Sequence, residues 1–334
     1  VKMTINRLII NKNNMRGQYF KKLLGFIVIY SYLRKVFNSN NDMKKIRNLI
    51  VITISALLVA CATKPQYNYV KVTGGGNICY EEKGKGTPLI LLHGHSLDMR
   101  MWDGQFDEFA KHYRTIRLDF RGYGKSSEQI EGFQFTHVDD LITLMDSLRI
   151  ARANIVGLSM GGFIAGDLLA MHPERIKKCV LASGSIRRGS KGPSEPMDSK
   201  EHSKRDAEIK ALSEKGVDVM KSEWIDALVN GGGSKRESIR KPLGKMIGEW
   251  TAWQPQNKEA RLYYAKDAWE QLTTKRPKTP VLMLHGETEN KKGMPKEAFY
   301  LPNFTRYTLP DCGHMMNMEQ PEAFNSVVLK FLGR

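Results

Sequence analysis

The chain has 334 residues, 41% hydrophobic and 26% charged, with a formal net charge of +17, a length that fits one catalytic domain with an insertion. Residues 1–60 hold eleven Lys and Arg against one acidic residue, so they supply +10 and leave +7 for the remainder; the basic balance is largely a targeting feature. Beyond them no basic run interleaves with aromatics and no nucleic-acid module is visible, so nucleic acid is not an expected partner, and four cysteines in so long a chain exclude a disulfide framework.

In chain order, residues 1–42 are rich in Asn, Lys, Ile and Tyr without a clear period, and are read as an extension upstream of the true start at Met43. A second reading makes residues 23–33 a weak membrane-associating segment. Met43-Lys44-Lys45-Ile46-Arg47-Asn48 is then a basic n-region, residues 49–60 an apolar h-region, and Leu58-Val59-Ala60-Cys61 a run of small residues ending in cysteine. Together these resemble a bacterial lipoprotein signal with its lipobox. That resemblance implies cleavage before Cys61, acylation of its thiol, and a membrane-anchored protein of the cell envelope facing the periplasm or the exterior. The competing reading, an uncleaved transmembrane anchor, is weakened by the shortness of the apolar run.

Strands are expected near 67–72 and 77–82, joined at Gly74-Gly75-Gly76, with Cys79 a buried thiol. Pro88-Leu89-Ile90-Leu91-Leu92 reads as a buried parallel strand and ends in His93-Gly94-His95-Ser96. The two histidines lie two apart, a spacing able to chelate a metal, but no further ligand cluster accompanies them and no metal is expected. Helices are marked by Trp102, Phe106 and Phe109, and by Val138, Leu141, Ile142, Met145 and Leu148; Asp119-Phe120-Arg121-Gly122-Tyr123-Gly124-Lys125-Ser126 lies between them. Next, Ala153-Asn154-Ile155-Val156 runs into Gly157-Leu158-Ser159-Met160-Gly161. A strand turning sharply into a helix needs small residues on both sides of the turn, and such a turn lifts the serine hydroxyl clear as a nucleophile.

After the strand at 178–182, which carries a second buried thiol at Cys179, the rhythm breaks. Residues 186–275 read as a helical insertion bearing Trp224, Trp250, Trp253 and Trp269, with Gly231-Gly232-Gly233-Ser234 either a flexible connection between its helices or a plain solvent loop. The core then resumes, the first part being 61–185 and the second 276–334. Pro280-Val281-Leu282-Met283-Leu284 ends in His285-Gly286-Glu287-Thr288-Glu289, and Leu309-Pro310-Asp311-Cys312-Gly313-His314 precedes a last helix entered at Gln320-Pro321-Glu322.

These motifs, in this order, resemble the α/β-hydrolase fold family from about Tyr67 to Arg334. The resemblance implies a mostly parallel eight-stranded sheet with helices on both faces and a helical lid at 186–275 covering the nucleophile. It also implies a triad in the order nucleophile, acid, histidine: Ser159, Glu289 and His314. The acid departs from the family's usual aspartate. One extra methylene moves the carboxylate by roughly 1.5 Å, and Glu287 competes for the role, while the other position used in the family, after the strand at 178–182, offers only Ser183, Gly184 and Ser185. The backbone N–H groups of His95 and Met160 are implied as the oxyanion hole. No cofactor is implied.

The expected reaction is acyl transfer on a small, largely uncharged ester or lactone through an acyl-enzyme on Ser159. Haloalkane dehalogenases and epoxide hydrolases carry aspartate at that position and are disfavoured. Carbon–carbon bond hydrolases and cofactor-free perhydrolases of the same fold are alternatives. A non-catalytic, membrane-tethered binding lipoprotein is the alternative of another class.

Overall fold

The computed structural model describes residues 67–130, 132–187, 199–257, 265–290 and 295–334. The upstream extension, the signal segment and Cys61 lie outside these residues, as does part of the insertion. Eight strands form one sheet in the order β1-β2-β4-β3-β5-β6-β7-β8. They are β1 (Asn68–Lys71), β2 (Asn77–Lys83), β3 (Pro88–Leu92), β4 (Arg114–Leu118), β5 (Ala153–Leu158), β6 (Ile176–Ala182), β7 (Val281–Gly286) and β8 (Phe304–Leu309). β2 is antiparallel to both neighbours and every other pairing from β4 to β8 is parallel.

The central strands are continuous apolar runs because both faces of the sheet are covered. Along β3 the period of two sends Leu89 and Leu91 into one core layer and Ile90 and Leu92 into the other. One layer lies beneath α2 (His137–Ser147) and α3 (Met160–Met171), and contributes Leu141, Leu144 and Leu168. The opposite layer packs Trp102 and Phe109 with Phe324 and Val328, from α1 (Asp103–Ala110) and the final helix.

Strand order decides where chemistry can sit. From β3 the chain moves outward to β4 and then crosses back to β5 on β3's other side, so β3 is flanked by strands reached in opposite directions. Crevices outside the carboxyl ends of strands at such a switch are the usual ligand sites of open α/β sheets. The loop after β3, carrying His95, thereby comes to lie beside the turn after β5, carrying Ser159, since Leu92 pairs with Gly157.

The insertion supplies α4 (Ser199–Lys215), α5 (Val217–Asn230), α6 (Arg240–Glu249) and α7 (Ala265–Lys275), with the final helix then α8 (Pro321–Leu332). α7 packs on α3 over the sheet, whereas α5 and α6 pack on each other. Among the described residues no helix is long and apolar enough to cross a membrane.

The Asp119–Ser126 stretch is structural. Asp119 accepts hydrogen bonds from the N–H groups of Met99 and Lys125, both at 2.7 Å, and burial pushes its carboxyl up to about 7. Two residues on, Arg121 is 1% exposed at its side chain and pairs with Asp140 of α2 at 2.7 Å, also donating to the carbonyl of Thr73 at 2.8 Å. One guanidinium therefore ties the first hairpin turn, the loop after β4 and α2 together. Asp140→Asn leaves that cation buried without its counter-charge, a change that costs about 3–5 kcal/mol. Urea denaturation of the variant should show a loss of this size; a loss below about 1 kcal/mol contradicts the assignment.

Candidate active site

Ser159 sits between β5 and α3 with φ 56° and ψ −116°, a conformation L-residues avoid. Its N–H donates to the carbonyl of Ala182 and its own carbonyl accepts from the N–H of Phe163, both at 2.9 Å. The flanking glycines are there for space. A Cβ on Gly157 would lie 2.1 Å from the carbonyl oxygen of Gly161, and one on Gly161 would lie 2.2 Å from that of Leu92. The turn is thus pressed against the end of β3, and the Cβ of Ser159 faces Gly94 of the next loop.

That loop is anchored by His93, which is fully buried. Its Nε2 accepts the N–H of Phe120 at 2.9 Å, so Nδ1 carries the proton and donates to the carbonyl of Gly94 at 2.8 Å. Burial lowers its pKa to about 4, and the ring is neutral near pH 7. His95 turns elsewhere: its Nδ1 lies 2.8 Å from the hydroxyl of Tyr123, and its ring meets Trp250 edge-on at 5.1 Å. Separate partners thus engage the two imidazoles, and among the described residues no group of three or more His, Cys, Asp or Glu is placed to hold a metal ion.

Of the two candidate acids, only one reaches the histidine. Glu289 Oε1 lies 3.1 Å from His314 Nδ1, whereas Glu287 turns away and accepts the N–H of Asp311 at 3.0 Å. The other oxygen of Glu289 accepts from the hydroxyl of Ser183 at 2.5 Å and from the N–H of Gly286 at 3.2 Å, with His285 Nδ1 3.8 Å away. Burial alone would raise this carboxyl, but interactions with His285, His314 and Ser183 outweigh it and hold the group far below the usual carboxylate range. Glu289 is therefore ionised near neutral pH and able to fix the tautomer of His314.

Ser183 is a residue that sequence reasoning passes over as a site residue. It occupies the loop after β6, the other place where a carboxylate could stand; instead of supplying the acid it holds the one that arrives from β7. That position is its only signal in the sequence. Cys312, two residues before His314, is buried, and burial pushes its thiol up to about 12, which removes it as a competing nucleophile at neutral pH. Cys79 and Cys179 are buried thiols as expected.

Among the described residues, the hydrogen bond made by the His314 ring is the one to Glu289, and the Ser159 hydroxyl makes none to that ring. Such contacts commonly close only when substrate is bound. Above the loop after β3 lies a cavity of about 460 Å³, lined by His95, Met220, Trp224, Ala227, Trp250 and Pro255, with Glu223 at its side. Its roof is α5, and Trp224 of that helix donates its indole N–H to the hydroxyl of Ser96 at 2.7 Å.

A family model described as the alpha/beta hydrolase fold matches residues 87–218. A protein of Mycobacterium tuberculosis named as a non-heme bromoperoxidase is 30% identical over 275 residues, covering 76% of this chain and 97% of that one. A 2-hydroxy-6-oxo-6-(2'-aminophenyl)hexa-2,4-dienoic acid hydrolase of Metapseudomonas resinovorans is 27% identical over 278 residues, covering 78% and 89%. Among solved structures, the enol-lactonase of Burkholderia xenovorans superposes with a TM-score of 0.59 at 25% identity, covering 80% of this chain and all of that one. The chain belongs to the α/β-hydrolase fold family, and it is an enzyme of the hydrolase type.

Two outcomes follow from this geometry. Glu289→Gln should lower turnover of a p-nitrophenyl ester by about 10²–10⁴-fold while Glu287→Gln stays within about threefold of the parent; the reverse ranking contradicts the acid assignment. His93 takes up a proton near pH 6.5 when unfolded but only near 4 when folded. Its stabilisation is therefore complete above pH 6.5 and lost as pH falls toward 4, by about 3 kcal/mol. His93→Gln should flatten that part of the stability curve in urea titrations at pH 7 and 4.5, and parallel losses in both proteins would contradict a neutral His93.

Proposed function

We propose that the protein hydrolyses a small, largely uncharged ester or lactone through an acyl-enzyme on Ser159. The observation that carries this reading is the Glu289–His314 hydrogen bond, on loops at the same carboxyl edge of the sheet as the strained turn of Ser159. His314 takes the serine proton as Oγ attacks the substrate carbonyl, and the resulting oxyanion is held by the backbone N–H groups of His95 and Met160. Collapse expels the alcohol, protonated by His314. Water then attacks the acyl-enzyme with His314 again as base, releasing the acid and restoring Ser159.

The cavity lining supports an uncharged substrate. Among the described residues its lining is mostly apolar and without Lys or Arg; the charged residue there, Glu223, pairs with Lys215. Carbon–carbon bond hydrolysis is the second reading, favoured by the likeness to the Metapseudomonas resinovorans hydrolase. The lipobox-like run ending in Cys61 supports tethering of the mature protein to a membrane surface.

Ser159→Ala should reduce ester turnover by at least about 10³-fold and abolish labelling by a fluorophosphonate probe. Labelling that persists in the variant contradicts the nucleophile assignment, and a wild-type protein inert to both reagents points to a binding role. Metabolic labelling with palmitate should mark the wild type and fail in Cys61→Ser; equal labelling excludes that anchor.

A further inference from the structure

We propose that Glu319 is a positioning residue that locks the lid turn Gly231–Ser234 onto the loop carrying His314, so that the seating of the lid sets the imidazole. The inference rests on the reading of Ser159 and His314 as catalytic. Glu319 lies just before α8 and is 1% exposed. Each of its carboxyl oxygens accepts one main-chain N–H: Oε1 from Gly313, the residue before His314, at 3.0 Å, and Oε2 from Gly233 of the lid turn at 2.7 Å. Among the described residues no Lys or Arg pairs with it. A carboxyl group buried without a cation is costly unless its oxygens are hydrogen-bonded, and these bonds join two loops eighty residues apart in sequence, Gly233 and Gly313.

The same two segments are joined again. Ser234 donates its N–H to Asp311 Oδ1 at 2.7 Å and its hydroxyl to Asp311 Oδ2, while Thr288, on the loop of Glu289, donates to the carbonyl of Gly231 at 2.5 Å. The fit leaves no slack. A Cβ on Gly233 would lie 2.3 Å from the carbonyl oxygen of Asp311, and one on Gly313 would lie 2.1 Å from that of Gly231. The turn read from sequence as flexible or solvent-facing keeps Gly231 and Ser234 exposed but is close-packed at Gly232 and Gly233.

α5 ends at this joint, and nearer its middle Trp224 holds Ser96 beside the proposed oxyanion donor His95. A helix of 14 residues is a stiff rod of about 20 Å. It therefore braces the loop of His95 and the loop of His314 against each other, and a shift of the lid displaces both. Displacements of about 1 Å at reacting groups cost up to about 10²-fold in rate.

Glu319→Gln tests this directly, because an amide offers one acceptor and one donor to two N–H groups and must lose one of the bonds. The expected result is a kcat on a p-nitrophenyl ester lowered about 10- to 100-fold, with KM within about threefold, in protein folded at the assay temperature. Ser234→Ala removes the exposed hydroxyl bond of the second staple and leaves the main-chain N–H of residue 234 on Asp311 Oδ1. It should lower kcat about three- to tenfold with Tm unchanged, and it carries the test if Glu319→Gln fails to fold. A purely structural role predicts a lower Tm with kcat per folded molecule unaltered. Turnover lost in Ser159→Ala but retained at wild-type kcat in Ser234→Ala, and in Glu319→Gln where it folds, overturns this inference alone; turnover that survives Ser159→Ala overturns the hydrolase reading with it.

Discussion

The backbone of Ser159 is held where L-residues rarely stay, at a cost of order 1–3 kcal/mol that the surrounding structure must over-determine. It does so on three sides. β6 accepts the serine N–H through Ala182, the first turn of α3 returns to the serine carbonyl through Phe163, and the end of β3 closes over Gly161. Because the strain is carried by the sheet, the hydroxyl projects from a rigid frame, and strand pairing brings the loop carrying Gly94 and His95 beside it, where His93 anchors it. The remaining site residues need only be delivered by loops from the same carboxyl edge.

Delivery of the acid shows how those loops are tuned. A glutamate reaches farther than an aspartate, and its second oxygen must find donors. Ser183, just after β6, and the N–H of Gly286, at the end of the adjacent β7, provide them. The result is a carboxylate whose charge is stabilised from several directions and whose free direction points at His314.

The strands and the turn of Ser159 were legible because their causes are local. A buried parallel strand must be continuously apolar, and a sharp turn against another backbone needs glycine wherever a Cβ would strike it, so Pro88–Leu92, Ala153–Leu158 and Gly157 and Gly161 announce themselves. The hairpin of β1 and β2 was likewise readable from its glycine turn. What could not be read was every interaction between loops distant in sequence. Glu287 and Glu289 have the same chemistry two residues apart, and only the folded loop sends one to His314 and the other to Asp311. Ser183 carries no local pattern, and Ser183 and Glu319 reach partners 106 and 86 residues away. The same limit applies to Gly231–Gly233, whose composition suits a loose linker and whose surroundings make it a joint.

Turnover by this route requires a covalent intermediate at one hydroxyl, which can be seen directly. Wild-type protein mixed with excess p-nitrophenyl acetate, quenched in acid within the first turnovers and mapped by peptide mass spectrometry, should carry an added acetyl group on the peptide containing Ser159. Steady release of p-nitrophenol with that peptide unmodified and another residue acetylated would contradict the assignment of the nucleophile, and with it the catalytic role of the strained turn.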